Sequence, residues 1–200
     1  LHWDDIKGNF QPAIEFAIRT GATVKKLSSS NGTIWVSTSD ELYLFDTKSG
    51  TKKVWRVDDV PISNIGSPKD LIVFDSGDVL IGGSTGVVKI QQVFSSAASP
   101  TKPTRDIAPL RSGVTSLLNH ESGKVFVGTN DGKLYLYDAS TEIAIKSITI
   151  KTNRNVLIAD MILQGDKLII ATDAGLYLSD ATLSTLVNIS SRGAGLSNTD

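Results

Sequence analysis

The chain has no cysteine among its 200 residues. That excludes a disulfide framework, thiolate metal sites and a cysteine nucleophile, and it leaves the compartment open. Only two histidines are present, His2 and His120, so no multi-histidine metal site can form. Neither sign of charge dominates: 20 Lys+Arg face 21 Asp+Glu, a formal net charge of −1. A general binder of nucleic acid or of an anionic membrane needs a basic excess, so the balance argues against either, and no nucleic-acid partner is expected. No apolar run approaches the roughly 18 residues of a membrane span, which argues against membrane insertion. The chain opens at Leu1 without a charged segment leading into an apolar one, and it reads as a processed protein or an excised fragment. There is no Gly-x-Ser-x-Gly elbow and no phosphate-cradling Gly-x-x-x-x-Gly-Lys-Ser/Thr loop.

What is present is a repeat. Three apolar residues, two or three small ones, a polar or glycine turn and a second apolar run occur four times. The segments are Ile34–Asp46, Val79–Ile90, Val125–Asp138 and Leu168–Asp180. Their first residues are spaced by 45, 46 and 43 positions. A turn dipeptide precedes each one: Asn31-Gly32, Ser76-Gly77, Ser122-Gly123 and Gly165-Asp166. Such pairs supply the positive φ angles of short hairpin turns. Another apolar run lies before each turn, as in Leu71–Phe74 and Met161–Leu163, and a more polar run follows, as in Lys53–Val57 and Ile145–Ile150. Each unit therefore reads as four antiparallel strands.

Four short strands every 43–46 residues predict an all-β fold, a β-propeller of about four four-stranded blades. Inner strands covered on both faces lose the alternation of apolar and polar residues, and the outermost strand regains it. Helix competes poorly, because the apolar runs are short, β-branched and broken by glycine. Residues 12–19 alternate at Ile14, Phe16 and Ile18 and read as a strand. The expected division is 1–22 as the tail of a preceding blade or a closing strand. Blades follow at 23–60, 61–110, 111–151 and 152–194, and 195–200 starts a further one. Gly195-Leu196-Ser197-Asn198 carries that expectation, because Leu196 follows Ile62 of Pro61-Ile62-Ser63-Asn64 by three repeat lengths. The chain is thus expected to belong to a larger ring of seven or eight blades. A closed four-bladed ring, completed by residues 12–19, is the alternative.

Asn31–Thr38 followed by Glu41–Asp46 resembles the two-component-regulator propeller repeat, with its Gly-x-Ile/Leu-Trp-x-Gly-Thr core and Gly-Leu-Tyr-x-Tyr/Phe-Asp continuation. The Gly195–Asn198 segment is similar to the blade opener of that family. The likeness covers roughly residues 23–200 and departs in detail: one unit carries the Trp, the second lacks the Tyr, and Ser37 and Asp40 replace small or glycine residues. Quinoprotein-like and WD-type propellers share the looser pattern, although no unit here ends in Trp-Asp. The resemblance implies a non-catalytic ligand-sensing or protein-binding domain, often extracytoplasmic (periplasmic or secreted).

Candidate binding residues follow from the loops between second and third strands, which propeller geometry gathers on one face: Asp40, Glu41, Asn130, Asp131 and Asp173. The same residues also serve as turn formers, and that reading stands beside the functional one. Asp160 sits in an innermost strand, where a side chain reaches the central channel, but one carboxylate is no calcium cage. His120 reads as an exposed turn histidine, Trp35 as core and Trp55 as a half-exposed strand residue. The residues 95–104 read as an exposed insertion. No acid recurs in the innermost strands on this reading. No cofactor and no metal is expected. The expected function is a non-catalytic binding module whose partner is a protein, a ligand or the remaining blades of the same protein. The alternative is part of a propeller hydrolase or lyase with its catalytic residues mostly elsewhere.

Overall fold

The computed structural model describes residues 2–4, 9–11, 18–19, 21–38, 40–56, 63, 65–91, 112–121 and 123–190. Seventeen strands and no α-helix occur among them. A hairpin of β1 (His2–Asp4) and β2 (Asn9–Gln11) comes first. Four antiparallel sheets follow in chain order. Blade 1 is β3 (Val24–Ser30), β4 (Thr33–Thr38), β5 (Glu41–Asp46) and β6 (Lys52–Arg56). Blade 2 shows three strands, β7 (Pro68–Val73), β8 (Val79–Gly83) and β9 (Gly86–Ile90). Blade 3 is β10 (Val114–Asn119), β11 (Lys124–Thr129), β12 (Lys133–Asp138) and β13 (Ile143–Thr149). Blade 4 is β14 (Ile158–Gln164), β15 (Lys167–Thr172), β16 (Gly175–Asp180) and β17 (Leu186–Asn188). The expected second strands are thus β4, β8, β11 and β15, each central in its sheet. The 95–104 insertion and the 195–198 opener lie outside the described residues. So does most of the strand expected over residues 12–19, and Ile18 and Arg19 carry no strand.

The turns form as their residues dictate. Gly32, Gly77, Gly123 and Gly165 all adopt positive φ, and Asn31 joins Gly32 in the left-handed region. The third strands of blades 1, 3 and 4 end in Asp46, Asp138 and Asp180, which organise the following turn. Asp46 accepts from Lys48 N at 3.0 Å, Asp138 from Ser140 N at 2.8 Å and Asp180 from Thr182 N at 2.8 Å. This Asx-type turn explains why the repeat closes on aspartate.

Successive sheets pack face to face, with the innermost strands β3, β7, β10 and β14 adjacent in turn. Each interface owns a core. Trp35, Leu42 and Leu44 of blade 1 meet Leu71, Val79 and Ile81 of blade 2. Ile72, Leu80 and Val87 of blade 2 meet Val114, Val125 and Tyr135 of blade 3. Phe126, Leu134 and Leu136 of blade 3 meet Ile158, Leu168 and Ile170 of blade 4. Each fully buried aliphatic side chain contributes about 1.5–3 kcal/mol. Doubly covered β4, β5, β8 and β11 are buried almost throughout, whereas the outer β6 alternates between exposed and half-buried. Trp35 is core, as expected, and Trp55 packs its half-buried ring against the same cluster. His120 departs from expectation. Its side chain is only 16% exposed, and its ring lies 5.0 Å from that of Phe126. The five-residue pairing gap between Asn119 and Val125 leaves room for the imidazole to fold back over the sheet.

Candidate functional site

The innermost strands share one irregularity. Each slips register at its start, between Val24 and Lys26, Pro68 and Asp70, Val114 and Ser116, and Ile158 and Asp160. A bulge of this kind leaves one residue unpaired and re-aims its neighbours. The residues just past the bulge are therefore equivalent: Lys26, Asp70, Ser116 and Asp160. An acid does recur in the innermost strands, at Asp70 and Asp160, which corrects the sequence expectation. The turns hid it. Blades 1 and 4 close the first hairpin with two residues and blades 2 and 3 with five, so counting back from the second strand falls out of step.

These positions link one blade to the next. Lys26 Nζ lies 3.0 Å from Asp70 Oδ1 and 5.7 Å from the centre of the Trp35 ring. Leu71 N and Leu117 N donate to the two carboxylate oxygens of Asp70 at 2.9 and 2.8 Å. Ser116 Oγ stands 3.5 Å from Asp160 Oδ1, which also accepts from Met161 N at 2.8 Å. Beside them, Ser37 Oγ donates to Pro68 O at 3.2 Å and Thr115 Oγ1 to Ile158 O at 2.5 Å.

A cleft of about 710 Å³ opens where these strand starts converge. Its walls carry Lys26, Lys69 and Ser84 from blades 1 and 2, and Thr115, Asn130 and Asp160 from blades 3 and 4. Lys69 occupies the bulge of β7, is exposed, and makes no ion pair among the described residues. Leu157, 39% exposed, adds an apolar wall. The cleft thus offers an ammonium, a carboxylate, hydroxyl and amide groups, and one apolar surface, a mixture suited to recognition. A second cleft of about 460 Å³ lies among the opposite turns. Its lysine, Lys89, is already held by Asp78 Oδ2 at 3.3 Å and Ala139 O at 3.1 Å.

Of the five loop residues read from sequence, Asn130 lines the first cleft, and its backbone N–H donates to Gly113 O at 2.9 Å. The other four do not line it. Asp40 is exposed and 3.5 Å from Arg19 Nη1. Glu41 is buried and accepts from the Tyr43 hydroxyl. Asp173 accepts from Leu157 N at 2.9 Å and pairs with Arg154. Asp131 accepts from Ser112 and Thr129 hydroxyls, each at 2.7 Å, and lies 2.8 Å from Lys133 Nζ. Lys69 and Thr115 were missed, because a bulge is not visible in residue types, and Ser84 because it reads as an ordinary residue of the β8–β9 turn. Among the described residues no group of three His, Asp or Glu side chains could hold a metal.

Acid sensitivity follows from Asp131. Burial alone raises its pKa, but the bonds from Lys133, Thr129 and Ser112, with the Lys133 charge, outweigh burial and bring it down to about 2. Its stabilising contribution is full above the unfolded value near 3.9 and is lost as pH falls toward about 2. Asp46, Asp138 and Asp180 are lowered too, chiefly by hydroxyl bonds from Ser49, Ser140 and Thr182, and add to the same loss. Urea unfolding stepped from pH 5 to pH 2 should show a smaller slope with pH for Asp131→Asn. An unchanged slope refutes the assignment.

Comparison with known proteins agrees with this architecture. No family model and no curated protein sequence matches the chain. Among solved structures, it resembles the extracellular domain of what is described as a hybrid two-component system, BT4673 of B. thetaiotaomicron, at 21% identity and TM-score 0.62. That match covers 92% of this chain and 24% of the other. The Cps50 (Swd1) β-propeller domain of Myceliophteria thermophila matches at 14% identity and TM-score 0.61, over 89% of this chain and 57% of that one. BamB of Moraxella catarrhalis matches at 14% and 0.56, over 82% and 51%. The chain spans about a quarter of the BT4673 domain and little more than half of the others. At these identities the likeness speaks to fold, and with the four packed antiparallel sheets it makes this chain an array of β-propeller blades.

Proposed function

We propose that the chain is a non-catalytic binding module, acting within the sensor domain of a signalling protein and located outside the cytoplasm. The observation that carries this reading is the cleft at the strand starts. It is built by all four blades, so occupancy can change how neighbouring blades sit. The likeness to an extracellular domain of a two-component system supports the sensor role and the compartment. The recognition chemistry is that of a ligand or protein segment pairing an anionic group with Lys69 and a polar group with the Asn130 amide.

The test is native mass spectrometry of the protein purified from its own source, beside a Leu157→Trp variant whose indole fills the cleft. A bound species retained by the wild type and lost from the variant supports the reading. A hydrolase or lyase turnover that disappears with Asp160→Ala overturns it in favour of an enzyme.

A further inference from the structure

We propose that the outward face of blade 4 is the docking surface for a further blade of the same polypeptide, whose innermost strand donates a backbone N–H to Asp160 Oδ2. This inference stands apart from the binding reading and rests on two equivalences between blades.

The first is apolar. Ile162, Ile169, Leu178 and Val187 pair in one unbroken row across β14, β15, β16 and β17. Ile162 is 59% exposed, Val187 39%, and Leu176 one step along the face 44%. In blade 3 the positions of Ile162, Ile169, Leu178 and Leu176 are held by Leu118, Phe126, Leu136 and Leu134, which pack against blade 4, and the position of Val187 is held by Lys146. Blade 4 thus repeats an interface half that is covered elsewhere in this molecule. A sheet face that exposes several large aliphatic side chains side by side is an association surface.

The second equivalence is polar. Asp70 and Asp160 each accept from the N–H of the next residue through Oδ1. Asp70 Oδ2 then reaches across to Leu117 N of the following blade. Among the described residues no donor reaches Asp160 Oδ2. A sheet stacked as blade 3 is stacked on blade 2 would supply it. The repeat spacing in the sequence also sets the opener of such a blade at Gly195–Asn198. A second copy fits less well. Two blade-4 faces laid together offer no strand N–H to Asp160. The opposite end already has Val36, Tyr43 and Phe45 of blade 1 buried.

The absence of cysteine makes the test clean, since one introduced thiol reports alone. Ile162→Cys, in the natural polypeptide with any other thiol replaced by serine, is labelled with a maleimide beside Ile145→Cys on the exposed outer strand of blade 3. The Ile162 thiol should react at least about 100-fold more slowly, as expected of a site that opens only when blades part. Adding Asp160→Ala should speed it about tenfold, by loss of a charge-assisted bond. Leu176→Cys gives an independent readout on the same face, since its blade-3 counterpart Leu134 is fully buried. Equal labelling of Ile162→Cys and Ile145→Cys overturns the proposal. So does protection that vanishes on dilution together with a dimer in sedimentation, which assigns the face to a second copy.

Discussion

Asp70→Ala should destabilise the protein by about 2–4 kcal/mol, while Asp160→Ala in this 200-residue chain should cost less than about 1 kcal/mol. The two residues are the same type at the same place in adjacent-but-one blades. They differ in what lies beyond them. The Asp70 side chain is 10% exposed and receives two backbone N–H groups, one from its own strand and one from β10. Its removal leaves Leu117 N buried without an acceptor and takes away the partner of Lys26. Most of the loss comes from the orphaned N–H, since Lys26 is more than one-third exposed and water can take over its charge. Lys26→Met should therefore be mild. Asp160 is exposed, and its own-strand N–H can turn to water. Urea unfolding of the three variants checks this. Equal losses for Asp70→Ala and Asp160→Ala would refute the view that the acid ties one blade to the next.

The repeat unit was legible in the sequence because its strongest rules are local. Asn31-Gly32 needs a left-handed turn, Asp138 and Asp180 cap the next one, and Val125–Val127 must be covered on both sides. Each fact is stated within a dozen residues. The cleft was less legible, because it is made by residues about 45 positions apart that meet only after four sheets stack. Asn130 was found from its turn, where residue type and position agree. Lys69 was not found, because nothing in Pro68-Lys69-Asp70 announces a bulge. The equivalence of Asp70 and Asp160 was lost to a three-residue difference in hairpin length, the kind of change that moves a loop while leaving the strands in place. Glu41 illustrates the opposite error. An acid next to a turn resembles a binding group, yet its carboxylate is buried beneath Tyr43, whose pKa is raised by burial and by that bond.

The small residues that follow each apolar triplet lead to the second large effect. Ser37, Gly82, Gly128 and Ala171 are equivalent positions in the second strands. At each of the first three, the innermost strand of the next blade crosses closely. Ser37 meets that strand with a hydrogen bond to Pro68 O. A Cβ at Gly128 would stand 2.6 Å from Ile158 Cγ2, and one at Gly82 would strike Val114. Neither glycine adopts a positive φ, so only space forbids a side chain there. Gly128→Val should cost about 3 kcal/mol or more, because Ile158 is fully buried and has nowhere to retreat. Valine prefers strands to glycine, so intrinsic propensity works against this loss and the measured value reports the clash between blades. Ala171→Val places the same methyl groups at the same position of blade 4, where no sheet among the described residues lies against them, and should change stability by less than about 0.5 kcal/mol. Denaturation midpoints of the two variants decide the matter: comparable losses would mean that the small residues serve the strand itself. In the natural polypeptide with a further blade in place, Ala171→Val should become as damaging as Gly128→Val, since the next innermost strand would then cross Ala171 as β14 crosses Gly128.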